Sequence, residues 1–136
     1  MRVLALDHGT VRIGCAISDP SGTLATPLPV IEPPHPRAVA ELVAEYEVDR
    51  VVVGLPLHLN GSEGAQAALS RTFCGELEAM LDVPVETYDE RLTTRMAETS
   101  RREGATAASD SLAAAHLLQA YLAAHASGEE DEADDE

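Results

Sequence analysis

The chain has 136 residues, a formal net charge of −15, nine basic residues that are all arginine, and no tryptophan; it fits one domain, large enough to bury a core without disulfides or a structural metal. Cys15 and Cys74 lie in apolar or helix-like surroundings without paired ligand spacing, so both read as reduced core thiols. No apolar stretch approaches the ~20 residues of a membrane span, and the short apolar opening behind a single Arg does not read as a signal peptide, so a soluble cytoplasmic protein is expected.

The first strand is predicted over residues 2–7. Val3-Leu4-Ala5-Leu6 has no polar face and belongs in a sheet covered on both sides. Asp7 ends that strand, directly before the turn His8-Gly9-Thr10-Val11-Arg12 and a returning strand at 13–18. Asp19-Pro20-Ser21-Gly22 has the chemistry of a second tight turn. A third strand at 24–31 carries Pro27 and Pro29, which suit only an edge or a strand end.

The pattern then changes. Val39, Leu42, Val43 and Tyr46 recur at helical spacing within 37–47. A fully apolar strand follows at 50–55, a loop at 57–61, an Ala-rich helix at 63–81, and a strand at 84–88 that ends at Asp89-Glu90. Helices near 94–103 and 110–125 close the fold. The order βββαβαβαα predicts an α/β architecture, a five-stranded mixed sheet with helices on both faces and strand 1 at its centre. Strand 1 and the strand at 50–55 should be its most buried elements.

The domain is expected to span 1–126. Residues 127–136 hold seven of the 24 acids and no base, a run that reads as a disordered, solubilising tail. Without it the chain has 17 acids against nine bases. Arginine suits bidentate phosphate contact better than lysine does.

Three acidic positions fall where the topology would gather them. Asp7 and Asp89-Glu90 end strands, and ligands of such sheets sit beyond the carboxyl ends of the strands. Asp110 shares a helical face with Ala114, Leu117, Leu118 and Tyr121, so it looks inward. A carboxylate at the end of a buried strand is costly unless a cation or donors use it. With no Cys/His ligand spacing to compete, a carboxylate cluster for Mg²⁺ or Mn²⁺ is one reading. The alternatives are separate roles: Asp110 as an N-cap or first-turn acid, Asp89-Glu90 as a strand-end pair, and Asp7 as a turn cap.

Candidate phosphate contacts are Arg12 in the first turn and Arg91, Arg95 and Arg102, which fall within about 40° of one another on a regular helix; a solvated, ion-paired face is the alternative. Gly9 and Thr10, and Ser62 before the long helix, offer backbone and hydroxyl donors. His8 and His58 lie in loops near the same rim, while His116 and His125 read as structural or exposed helix residues. Aromatics are too sparse for a base-stacking platform, which favours recognition of backbone and shape.

The blocks Leu6-Asp7-His8-Gly9-Thr10-Val11-Arg12-Ile13-Gly14, Val53-Gly54-Leu55-Pro56-Leu57 with Asn60-Gly61-Ser62-Glu63-Gly64, Asp89-Glu90-Arg91-Leu92-Thr93-Thr94 and Asp110-Ser111-Leu112-Ala113-Ala114 resemble those of the YqgF family, also called RuvX. They occur in the family's order and span nearly all of the chain before the acidic tail. The resemblance implies an RNase H-like fold and a metal-dependent nuclease acting in 5′-end maturation of precursor 16S ribosomal RNA. It implies Asp7, one or both of Asp89 and Glu90, and Asp110 as catalytic acids. It further implies Asp7, Glu90 and Asp110 as ligands of Mg²⁺ or Mn²⁺, and Asn60 beside the other candidate contacts to nucleic acid. Val11 and Ser111 stand where the family usually or often has basic residues, which removes potential phosphate contacts.

The expected partner is structured RNA or branched DNA, with a homodimer left open. A Holliday junction resolvase and a non-catalytic RNA-binding assembly factor are the alternative functions. An ATP-binding protein of the actin and sugar-kinase type shares the phosphate-turn chemistry, but it closes two such domains around its nucleotide.

Overall fold

The computed structural model describes residues 1–9, 11–55, 64–89 and 107–135. Five strands form one mixed sheet: β1 (Val3–His8), β2 (Ile13–Ser18), β3 (Ala25–Ile31), β4 (Arg50–Leu55) and β5 (Val85–Asp89), in the order β3-β2-β1-β4-β5. β1 pairs antiparallel with β2 and parallel with β4, so the strand without a polar face is central as expected. β3, with its prolines, is an edge strand.

Strand alternation divides the core in two. Leu4 and Leu6 of β1, with Ile13, Cys15, Val51 and Val53, face α1 (Pro36–Tyr46) and α2 (Ala65–Met80), which contribute Val39, Phe73 and Leu77. Val3 and Ala5, with Ala16 and Val52, face α3 (Ala107–Asp135) through Ala114, Leu117, Leu118 and Tyr121. α1 starts as its sequence suggests: Pro36 fills the first turn, where no N–H is needed, and His35 Nδ1 accepts from the Arg37 N–H at 3.1 Å.

The burial ranking differs from expectation in one respect. β4 is buried over Val51–Leu55, but β2 is buried along its whole length, more completely than β1. Its small residues Gly14 and Ala16 lie on the face covered by α3, and a Cβ at Gly14 would collide with the Asp110 backbone carbonyl. The small side chains therefore record close approach of a helix.

α3 also differs from the helix expected at 110–125. It begins at Ala107 and its backbone continues through the acidic run to Asp135; Ala and Glu are good helix formers, and Gly128 alone does not break it. Asp110 is consequently a first-turn acid and not the N-cap. The helix expected near 94–103 lies outside the described residues.

A candidate carboxylate site at the rim of the sheet

β1 ends at the rim with two residues that point to opposite faces. Asp7 follows Val3 and Ala5 toward α3, whereas His8 follows Leu4 and Leu6 toward α2. Asp7 pairs in register with Gly14 on β2, and the backbone of Asp110 rests on that same glycine. Two carboxylate-bearing residues that are 103 positions apart in sequence therefore adjoin one residue without a side chain.

Arg12, just before β2, lies on this face, and its Nε donates to Asp110 Oδ2 at 2.5 Å in a largely buried ion pair. A positive group thus already sits at the inward-facing carboxylate.

Ser111 fixes the start of the helix. The β2–β3 register shifts between Ile13 and Cys15, which leaves backbone groups at the irregularity in need of partners. The buried Ser111 hydroxyl accepts from the Cys15 N–H at 3.4 Å and donates to the Leu28 carbonyl at 2.5 Å. The residue that stands in place of a family basic position thus serves the fold: from α3 its hydroxyl clamps the helix start to the sheet and seats Asp110. Val11 is exposed at the rim, where it brings no charge.

The remaining candidates divide between described and undescribed residues. Asp89 closes β5 with its backbone opposite Leu55, at the same end of the sheet as Asp7. Gly9 forms the turn through its N–H to the Arg12 carbonyl at 3.0 Å. Thr10, His58, Asn60, Ser62, Glu90, Arg91, Arg95 and Arg102 lie outside the described residues. Among the described residues, no group of three His, Cys, Asp or Glu side chains is placed to hold a metal.

The donors that are described fit a hard divalent cation. Asp7 and Asp110 offer carboxylate oxygens on the α3 face, while the softer Cys15 and the imidazole of His8 belong to the opposite face.

His8 plays a different part from the one a rim histidine suggests. Its ring stacks on Phe73 at 4.4 Å between centroids, its Nδ1 is 3.2 Å from Ser70 Oγ, and its carbonyl accepts from Gln66 Nε2 at 3.1 Å. Burial holds its pKa below the usual value of 6.5, opposed by the nearby Glu76 carboxylate. It is a neutral ring locked to α2. Of the helical histidines, His125 stacks on Tyr121 and contacts its carbonyl, as a structural residue would.

A central strand ending in a carboxylate, an antiparallel hairpin, two parallel crossovers and a closing helix carrying a second carboxylate define the RNase H-like fold. Two solved structures of RuvC from Thermus thermophilus share the fold. One, in complex with a Holliday junction substrate, superposes with a TM-score of 0.61 at 18% identity, covering 93% of this chain and 96% of that one. The other superposes with a TM-score of 0.53 at 17% identity, covering 89% and 95%.

Residues 1–124 match the model of the RuvX family, described as Holliday junction resolvase, and the chain belongs to that family. Relatives named "Putative pre-16S rRNA nuclease" are 42% identical in Anaeromyxobacter sp. (strain K), over 90% of this chain and 96% of the relative. The relative of that name in Chloroflexus aggregans is 48% identical over 88% and 92% of the two chains, and that of Listeria monocytogenes is 41% identical over 90% and 97%.

Proposed function

We propose that this chain is a divalent-metal-dependent nuclease that hydrolyses phosphodiester bonds in precursor 16S ribosomal RNA, and that it acts in the cytoplasm. The observation that carries the reading is the convergence of Asp7 and Asp110 on Gly14, with Arg12 at the same rim. The substrate follows the name shared by relatives of 41–48% identity. No described helix is long and apolar enough to cross a membrane.

In this reading Asp7, Asp110 and one acid of the Asp89-Glu90 pair hold Mg²⁺ or Mn²⁺. A divalent ion bound there would supply an acidified water and charge stabilisation for the hydrolysis. Arg12 exchanges Asp110 for a phosphate oxygen, a contact that guanidinium makes well. Ser111 and Gly14 hold the helix start close to β1, so that the two carboxylates need no large rearrangement to act together.

The test incubates purified full-length protein with a precursor 16S RNA 5′-leader fragment and with a four-way DNA junction, each with and without Mn²⁺. Metal-dependent cleavage of the RNA, reduced to background by Asp7→Asn while RNA binding persists, is the expected result. Cleavage confined to the DNA junction would instead establish the resolvase reading, which the family's description favours. Binding without cleavage of either substrate would leave an RNA-binding assembly factor.

A further inference from the structure

On the face of the sheet opposite Asp110, a cavity of about 380 Å³ opens beside the same turn. His8 and Gly9 line it from the end of β1, Pro34 and Pro36 from the approach to α1, and Leu69, Thr72, Phe73 and Glu76 from α2. Its volume is in the range of small-ligand sites, ~300–1,000 Å³. Nothing in the hydrolytic reading uses it.

The lining selects the ligand. Its lining combines Pro34, Pro36, Leu69 and Phe73 with the polar Thr72 and Glu76, and the His8 ring, stacked on Phe73 and held at Nδ1 by Ser70, supplies an aromatic edge. Among the described residues no arginine lines it, and the Glu76 carboxylate would repel a phosphate. Glu76 offers acceptors only, and Thr72 Oγ1, which donates to the Ala68 carbonyl at 3.2 Å, retains lone pairs to accept with. A flat, neutral ring with adjacent N–H donors is the complementary ligand.

Chain geometry supplies the source of such a ring. Asp7 and His8 are consecutive, so the cavity and the carboxylate rim are separated only by the thickness of β1 and the Gly9 turn. A strand with one phosphate at the rim passes over that turn. Single-stranded RNA presents unstacked bases that are recognised by stacking and by their hydrogen-bonding edges.

We propose that this cavity is a subsite for one unstacked nucleobase of the nucleic-acid substrate, next to the scissile phosphate, and that Glu76 selects guanine through its adjacent ring N–H and amino group. The inference rests on the nuclease reading for the identity of the ligand, but its test does not require cleavage. It places a single base pocket where the sparse aromatics suggested recognition by backbone and shape alone.

The experiment titrates GMP, AMP, CMP, UMP and ribose 5-phosphate separately into the ¹⁵N-labelled full chain without metal, followed by amide chemical shifts. GMP should perturb His8, Gly9, Thr72, Phe73 and Glu76 at concentrations at least about tenfold lower than the other nucleotides, since a hydrogen bond to a charged group contributes on that scale. Glu76→Gln should remove that preference, and Thr72→Tyr, which fills the cavity from an exposed helix position, should abolish the shifts for all bases. Both substitutions are at exposed positions, so folding is checked from the unchanged remainder of the spectrum.

Equal responses to all four nucleotides, a response to ribose 5-phosphate alone, or shifts confined to other residues would overturn the proposal. GMP binding at this cavity in a protein that cleaves neither RNA nor DNA would sink the hydrolytic reading and leave the subsite standing. Cleavage without any nucleotide response would do the reverse.

Discussion

Arg12 and Asp110 show how a residue pair can be poised between two states. Their ion pair is largely buried but not sealed from water, with 18% and 27% of the two side chains exposed, so its net contribution to stability is of the order of 1 kcal/mol or less. Its larger effect is on what else reaches the carboxylate. Arg12→Ala should therefore raise the affinity for Mn²⁺ in the absence of nucleic acid, measured by calorimetric titration, because a competing cation has been removed. The same variant should bind RNA more weakly whatever its sequence, with the slope of log K against log salt shallower by about 0.7–0.9 for one lost phosphate contact. Unchanged metal affinity would separate Arg12 from the site.

The two thiols illustrate the opposite residue-scale outcome. Burial pushes Cys15 from 9.0 up to about 12 and Cys74 up to about 11, in the second case aided by the Glu78 carboxylate. Both should resist iodoacetamide in native protein at pH 8 and react after urea unfolding, as mass spectrometry would register. The unfolded thiols ionise near 9 and the folded ones later. The stabilising contribution is thus complete below about pH 9 and is lost as pH rises through 11–12.

Among the elements, the N-terminal half of the sheet was readable because each signal had one cause. An apolar run on both faces placed β1 at the centre, and two prolines placed β3 at an edge. β2 was less readable because Gly14 and Ala16 give weak hydrophobic signals while being among the most tightly covered residues. The role of Ser111 was not legible, because its sequence position shows only that a basic residue is missing; the register shift in β2–β3 reveals the backbone groups that require its hydroxyl. The inward face of Asp110 was legible from helical spacing, but its pairing with Arg12 across 98 positions was not.

Gly14→Ala tests the helix–strand contact directly. The new methyl group meets the backbone of Asp110 and Ser111, which cannot rotate away, so α3 must lift from β2. A loss of about 1–3 kcal/mol in a urea unfolding titration is expected, the usual scale of overpacking. Under conditions where the variant remains folded, cleavage should fall further than RNA binding, because Asp110 is displaced from Asp7 while Arg12 remains able to reach phosphate. Equal losses would place the helix start outside the catalytic geometry.

Charge is the property that belongs to the whole molecule. At −15 the chain repels a polyanion at long range, yet Arg12, its proposed phosphate contact among the described residues, stands at the carboxylate rim. Residues 127–136 carry seven of the negative charges, and the helical backbone of α3 continues to Asp135, beyond the region that matches the RuvX family. Because α3 begins at the carboxylate site and runs away from it, the acidic end stands at the far end of the helix, at least about 25 Å away by the rise of ~1.5 Å per residue over 17 residues or more. That span exceeds the Debye length of about 8 Å at physiological ionic strength. Deleting 127–136 should therefore leave metal affinity and the cleavage rate at saturating RNA unchanged. Association with RNA should become faster at low salt, where screening is weak, and that gain should disappear near 0.15 M salt. A stopped-flow salt series on the truncated and full-length chains would measure both effects, and a lower cleavage rate at saturating RNA would show that the acidic end acts at the site itself.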